Sequence, residues 1–193
     1  MTDPSSFATP DLTRAFDVEA YLALVPHGAT VKGMFWNDLQ RVAAGAGINF
    51  TGHYATFNDY PLVDYMRSVA RLARIVSPSA PILEGIRLIG KRAFVTLSQS
   101  LTGRVLFAIA GRDLLATLAL ASDAYRRCLS PGEAQLREMG AGRAVVELRS
   151  VWNFPQAYQV GVFEKAIEHF GHVGTVRMRL LSPCDADYLL EWR

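Results

Sequence analysis

The sequence predicts an α+β fold: a helical N-terminal layer packed on a C-terminal antiparallel sheet of ββαββ topology. Three observations carry this. Up to about residue 128 the apolar residues recur at three- and four-residue spacing, the period of one helix face. From about residue 135 they alternate, the period of a half-buried strand, with one amphipathic helix set between the strands. The turn Ser130-Pro131-Gly132 stands where the period changes. The 193 residues suffice for one sizeable core, and no linker divides them, so 16–193 reads as a single domain.

Residues 1–15, rich in Pro, Ser, Thr and Asp, read as a flexible N-terminal arm, either a mobile tail or an extended strap. A short helix is expected over 16–25, ended by Pro26 and Gly28. Val31, Met34, Phe35, Leu39, Val42 and Ala43 predict a helix over 31–44, with Thr30 able to cap it. Pro61 opens the next helix, where its missing N–H is harmless. Leu62, Tyr65, Met66, Val69, Leu72 and Ile75 form its apolar stripe. After the break at 77–81, helices are expected over 82–97, 101–110 and 113–128.

The C-terminal part reads as strands over 135–139 and 143–149, joined by Gly140-Ala141-Gly142, whose glycines tolerate a hairpin's positive φ. A helix starts at Pro155 and ends at Gly171, with Val160, Phe163, Ile167 and Phe170 on one side. In the strand over 175–181, Val176, Met178 and Leu180 point inward and Arg177 and Arg179 outward. In the last strand Ala186, Tyr188, Leu190 and Trp192 alternate with Asp187, Leu189 and Glu191. Antiparallel pairing sets the two arginines against Asp187 and Glu191 on the solvent face.

The longest apolar stretch, 114–121, is too short to span a bilayer, and the N-terminus lacks the pattern of a secretory signal. Two cysteines make no disulfide framework, so a cytoplasmic location is expected. The net charge is only +2 but is unevenly placed. Asp3, Asp11, Asp17 and Glu19 face Arg14 alone in the first twenty residues. Between Arg67 and Arg104 stand seven basic residues and one acid, Glu84. No motif of a DNA-binding fold accompanies them, and no DNA partner is expected.

The segments VKGMFWNDL, YPLVDYMRSVARLA, LIGKRAF, YQVGVFEKAIEHFG and DADYLLEW resemble an uncharacterised paralogous family expanded in myxobacteria, over about 17–192. That family brings no established activity. More remotely, the helices-then-ββαββ layout and the Lys32-Gly33-Met34-Phe35 opening are similar to a ligand-binding superfamily. It comprises the haem nitric-oxide-binding, 4-vinyl-reductase-type and Bet3-like transport-particle domains. This resemblance implies a pocket between helices and sheet, and a homodimer. Haem-bearing members hold iron through a histidine on the helix before the sheet, and the helix over 113–128 has none. Their Tyr-x-Ser-x-Arg motif has only Glu147-Leu148-Arg149-Ser150 near its place. Zinc-bearing members use several cysteines where this chain offers Cys184. No cofactor is therefore expected.

Candidate sites follow. Trp36, Phe94, Phe107, Tyr125, Phe163 and Tyr188 are expected to line an apolar ligand pocket, together with Tyr65, Trp152 and Tyr158; plain core is the alternative. Arg67, Arg71 and Arg74 share one helix face, and Arg87 and Lys91 repeat the spacing. They suit an anion or partner surface, or simply a solvated face paired with the acidic arm. His169, His172 and Cys184 are too few and too poorly aligned for a metal site. Cys128, after Arg126 and Arg127, is either a reactive thiol or an inert buried one. No acid, base or nucleophile stands in a supporting constellation, so the chain reads as non-enzymatic. The expected function is a regulatory or sensory module binding a small apolar ligand, a protein partner or both, as a dimer. The alternative is a ligand-free scaffold or tethering protein.

Overall fold

The computed structural model describes residues 3–111 and 113–193, with the side chains of 138 and 139 excepted. Residues 1 and 2 of the arm lie outside the described residues. The helical layer comprises α1 (Val18–Leu22), α2 (Gly33–Gly45), α3 (Leu62–Val76), α4 (Ile82–Gln99), α5 (Leu101–Ala110), α6 (Leu114–Ala119) and α7 (Ala121–Cys128). Strands β1 (Thr30–Lys32), β2 (Asp59–Pro61) and β3 (Leu129–Ser130) make a small antiparallel sheet of order β2-β1-β3. Then follow β4 (Glu133–Gly140), β5 (Arg143–Arg149), a π-helical turn over Pro155–Gln159, α8 (Val160–His169), β6 (Gly174–Leu180) and β7 (Ala186–Trp192). The second sheet has the order β4-β5-β7-β6, all antiparallel.

The α+β architecture and the ββαββ close are as the sequence predicts. Gly140 and Gly142 take positive φ at the β4–β5 turn, and Gly171 takes positive φ just beyond α8. The inner face of the large sheet carries Ala144, Val146, Leu148, Val176, Met178, Ala186, Tyr188 and Leu190, all in the main core. Along α3, Leu62, Tyr65, Met66, Val69 and Leu72 are buried as the stripe predicts, while Ile75 is exposed.

α4 is the central helix, because its neighbours approach it to backbone distance. A Cβ on Gly90 would stand 2.0 Å from the Tyr158 carbonyl oxygen. One on Gly161 of α8 would stand 2.0 Å from that of Arg87. Glycine at both positions lets α8 and the π-turn lie directly on α4.

Four local differences from the sequence reading have physical causes. Residues 30–32 extend as β1 before α2 begins, and the small sheet escapes pattern reading because strands of two or three residues show no alternation. Pro61 ends β2 and flanks α3 from outside rather than opening it. The helix expected over 113–128 breaks at Leu120, the shared cap of α6 and α7. The expected solvent face of the large sheet is partly covered. The 3₁₀ turn Pro4–Ser6 leads into Phe7, which is buried against Val145 and Leu189. Ala8 then pairs with Met178 on edge strand β6, with N–H···O distances of 2.9 and 2.8 Å.

Arg177 and Arg179 do pair with Glu191 and Asp187, at 2.9 and 2.6 Å. Asp187 is 2% exposed and also meets Arg149 at 2.8 Å. No single helix among the described residues is long and apolar enough to cross a membrane. α5 bends away from α4 by 79°.

Candidate functional site: a polar relay in an apolar cavity

The segment between β5 and α8 carries the site. Ser150 and Phe154 both have positive φ, 54° and 50°, which non-glycine residues rarely adopt and which stores strain. Surrounding contacts hold that strain in place. The Ser150 N–H donates to Asp185 Oδ1 at 2.8 Å, and the Val151 N–H to the Cys184 carbonyl at 2.8 Å. The Tyr21 hydroxyl lies 2.8 and 2.6 Å from the carbonyl oxygens of Trp152 and Pro183, while the Tyr21 ring stacks on Phe154. The π-turn follows at once, a geometry that recurs at functional sites.

This path sends Asn153, Tyr158 and Gln159 into the interior. Gln159 Nε2 donates to Asn153 Oδ1 at 2.5 Å, and Gln159 Oε1 accepts from the Tyr125 hydroxyl on α7. The Tyr158 and Tyr65 hydroxyls share a hydrogen bond of 2.7 Å. Burial pushes the hydroxyl pKa of Tyr65, Tyr125 and Tyr158 up, so all three stay protonated.

A cavity of about 60 Å³ opens beside this relay, between β1, α4, α7 and the π-turn. Val31, Phe35, Phe94, Leu97, Leu129 and Val162 give it apolar walls, and Tyr125, Asn153 and Gln159 give it a polar end. A second cavity of about 60 Å³ lies between α4, α5, α6 and α8. The two share Phe94, Leu97, Ala124, Tyr125 and Val162. These side chains close the space between them, so a pocket of a few hundred cubic ångströms is not present there.

Phe94 and Tyr125 line both cavities, and Phe107 and Phe163 line the second. Trp36 and Tyr188 line neither. Trp36 stacks on Tyr54 at 4.5 Å and meets the Tyr65 ring edge-on. Tyr188 donates to the Pro155 carbonyl at 2.8 Å and packs on Phe163. Asn153 and Gln159 escaped the sequence reading. Their signal was Gln159 lying four residues before Phe163, a polar amide on an otherwise apolar helix stripe.

The basic residues divide into two groups. Arg87 pairs with Glu84 and Glu164, and Lys91 with Glu164 and Glu168 at 3.3 and 2.7 Å, which ties α4 to α8. Arg67, Arg71 and Arg74 border a surface recess with Glu19, and Arg67 reaches Asp64 at 3.2 Å and Glu19 at 3.7 Å. Cys128 lines the first cavity, and burial pushes its thiol up to about 12 despite Lys32 and Arg127. Burial therefore outweighs the neighbouring cations, and the thiol stays neutral. His169 packs among Phe94, Phe107 and Phe170, while His172 lies near Trp192. Among the described residues no group of three or more His, Cys, Asp or Glu could hold a metal ion.

The helical layer packed on a four-stranded antiparallel sheet defines an α+β fold that is similar to that of H-NOX proteins. The H-NOX protein of K. algicida, in its Fe(II) unliganded form, is similar at 12% identity and a TM-score of 0.61, over 84% of this chain and 96% of that one. The H-NOX protein of S. oneidensis in the Fe(II)NO ligation state is similar at 13% identity and a TM-score of 0.62, over 84% and 99%. These likenesses show the fold. The chain itself belongs to the family described as protein of unknown function (DUF2378), whose model matches residues 25–193. No curated protein matches it.

The fold raises the question of haem, and the residues do not fit one. The helices before the sheet offer the cavities Leu118, Tyr125 and a protonated Cys128, with no imidazole. Each cavity is far below the roughly 300 Å³ at which pockets for large organic ligands begin.

Proposed function

We propose that this chain is a non-enzymatic sensory module that binds a small organic molecule, and no haem, in the cavity between α4, α7 and the π-turn. The observation that carries this is the Tyr125–Gln159–Asn153 relay, set in apolar walls and held by a strained backbone. The relay's last amide, on Asn153, borders the cavity and has no acceptor among the described residues. Backbone strain tends to persist where a site needs it. The H-NOX likeness supports a ligand-binding role by analogy of fold. Output through a homodimer or a protein partner completes the reading.

Native mass spectrometry of the purified protein, with an absorption spectrum of the same sample, tests it. The expected result is protein free of haem, taking up small organic molecules with one-to-one stoichiometry. Stoichiometric haem with its intense absorption would sink the proposal, as would failure of every small neutral molecule tried to bind.

A second reading, a scaffold akin to the Bet3-like subunits, has its own observation. Leu101, Val105 and Ile109 of α5 are 60%, 53% and 70% exposed and lie on one helix face. Sedimentation velocity separates the two. A stable oligomer that Val105→Glu with Ile109→Glu dissolves supports the scaffold or dimer role, and a monomer at high concentration speaks against it.

A further inference from the structure

The hydrogen-bond inventory of the relay specifies the ligand more closely, on the reading that the cavity is a binding site. Tyr125 donates to Gln159, and Gln159 donates to Asn153. Each link uses one donor and one acceptor, and the direction of donation runs from α7 toward the β5–α8 loop. The chain ends on the Asn153 amide nitrogen, whose two N–H groups have no acceptor among the described residues. Asn153 is 4% exposed and lines the first cavity. The amide nitrogen is not among the fully buried unpartnered atoms, so it keeps access to the cavity, where an acceptor can reach it.

Charge is excluded by the walls. No Lys, Arg, Asp or Glu lines either cavity among the described residues. An ionised ligand would lose its hydration with no counter-charge to replace it. Shape adds a direction. The first cavity holds the polar end, whereas the second is bordered by Leu106, Phe107, Leu118, Phe163 and Ala166, with Thr117 and the shared Tyr125 as its polar members. Rotation of the shared Phe94 and Leu97 side chains would join them. Together the two come close to the ~150 Å³ of an apolar cavity that takes up benzene.

We infer that the joined cavities take one short, neutral, carbonyl-class molecule, its oxygen accepting from the Asn153 amide and its apolar tail lying between α4, α6 and α8. A ketone, ester or lactone of five to seven heavy atoms is the chemical class.

The probes are methyl propyl ketone, pentane and butyrate, which match in size and differ in the head. Each is titrated into ¹⁵N-labelled protein and followed by NMR, with Asn153→Leu and Leu97→Trp as variants. Methyl propyl ketone is expected to bind, to shift the Asn153 side-chain amide signal in the wild type, and to bind roughly tenfold more weakly to Asn153→Leu, the worth of one net hydrogen bond. Pentane should bind without that amide shift and be indifferent to Asn153→Leu, and butyrate should not bind. Leu97→Trp, which fills the shared wall, should abolish both neutral probes. The wild-type amide shift decides the matter even if a variant fails to fold.

If ketone and pentane bind alike with no amide shift, the binding site stands and the head-group inference falls. Butyrate binding as tightly as the ketone would also overturn it. If no probe binds, or Leu97→Trp changes nothing, the cavity reading itself falls.

Discussion

Polar side chains are buried on both sides of this molecule, and the two sides settle them differently. On the outer face of the large sheet the groups are ionic and paired by charge, although Asp187 Oδ1, Arg143 Nε and Arg179 Nε make no hydrogen bond there. Asp187 lies between Arg149 and Arg179, and Glu191 lies between Arg143 and Arg177, at 3.4 and 2.9 Å. The arm closes over them, with the Arg179 guanidinium 5.2 Å from the Phe7 ring centre and donating to Ser6 Oγ. On the helical side the groups are neutral, and the relay ends on an amide with donors to spare. The ionic groups meet opposite charge within the chain. The relay's last amide instead borders an apolar cavity, and that difference places the proposed site on the helical side.

The largest effect expected from this contrast is on reactivity. With its thiol held near 12, Cys128 should react with a thiol-directed alkylating agent at pH 8 roughly a thousandfold more slowly than a free thiol, and far more slowly than half-buried Cys184. Peptide mapping after timed labelling measures this. The linkage has a definite sign. The unfolded thiol ionises near 9 and the folded one near 12, so this contribution to stability is complete below pH 9 and is lost between pH 9 and 12. Equal labelling of the two cysteines would break the picture of a neutral interior.

Next in size is Gly90→Ala. Its methyl group meets backbone at the Tyr158 carbonyl and cannot be relieved by a side-chain rotation. A loss of about 3 kcal/mol is expected in urea denaturation, together with loss of ligand binding because the π-turn must move. Asp187→Ala should cost about 2 kcal/mol. It leaves Arg149 and Arg179 facing one another, and their partial exposure keeps the loss below that of a fully buried pair. It should leave binding in the cavity unchanged, which is the sharpest single test of the division between the two sides. Smallest is Ser150→Gly. Glycine adopts φ of 54° without strain, so a gain of about 0.5–1 kcal/mol is expected, visible as a raised Tm.

Much of the fold was legible because it rests on local periodicity. The inward set on β5 and β7, the β4–β5 hairpin and the α3 stripe are each read from residues within one element. The arm was harder. Phe7 is one apolar residue in a polar stretch, and its burial depends on Val145 and Leu189 standing side by side on adjacent strands. The aromatics were legible as apolar and interior, but their division between cavity and core was not. Phe94 faces a gap and Trp36 a stacked Tyr54 for reasons of packing alone.

By itself, then, the sequence determined the α+β class, the face that β5 and β7 turn inward and the absence of a histidine from 113–128. Periodicity and residue type are properties of the chain, and a missing histidine cannot be supplied by folding. Only the tertiary structure decided where the interior stays incomplete. Tyr125 and Gln159 are 34 residues apart, and Asn153 reaches them through two strained residues and a π-turn. Which donor has space beside it becomes defined only when these distant elements have packed together.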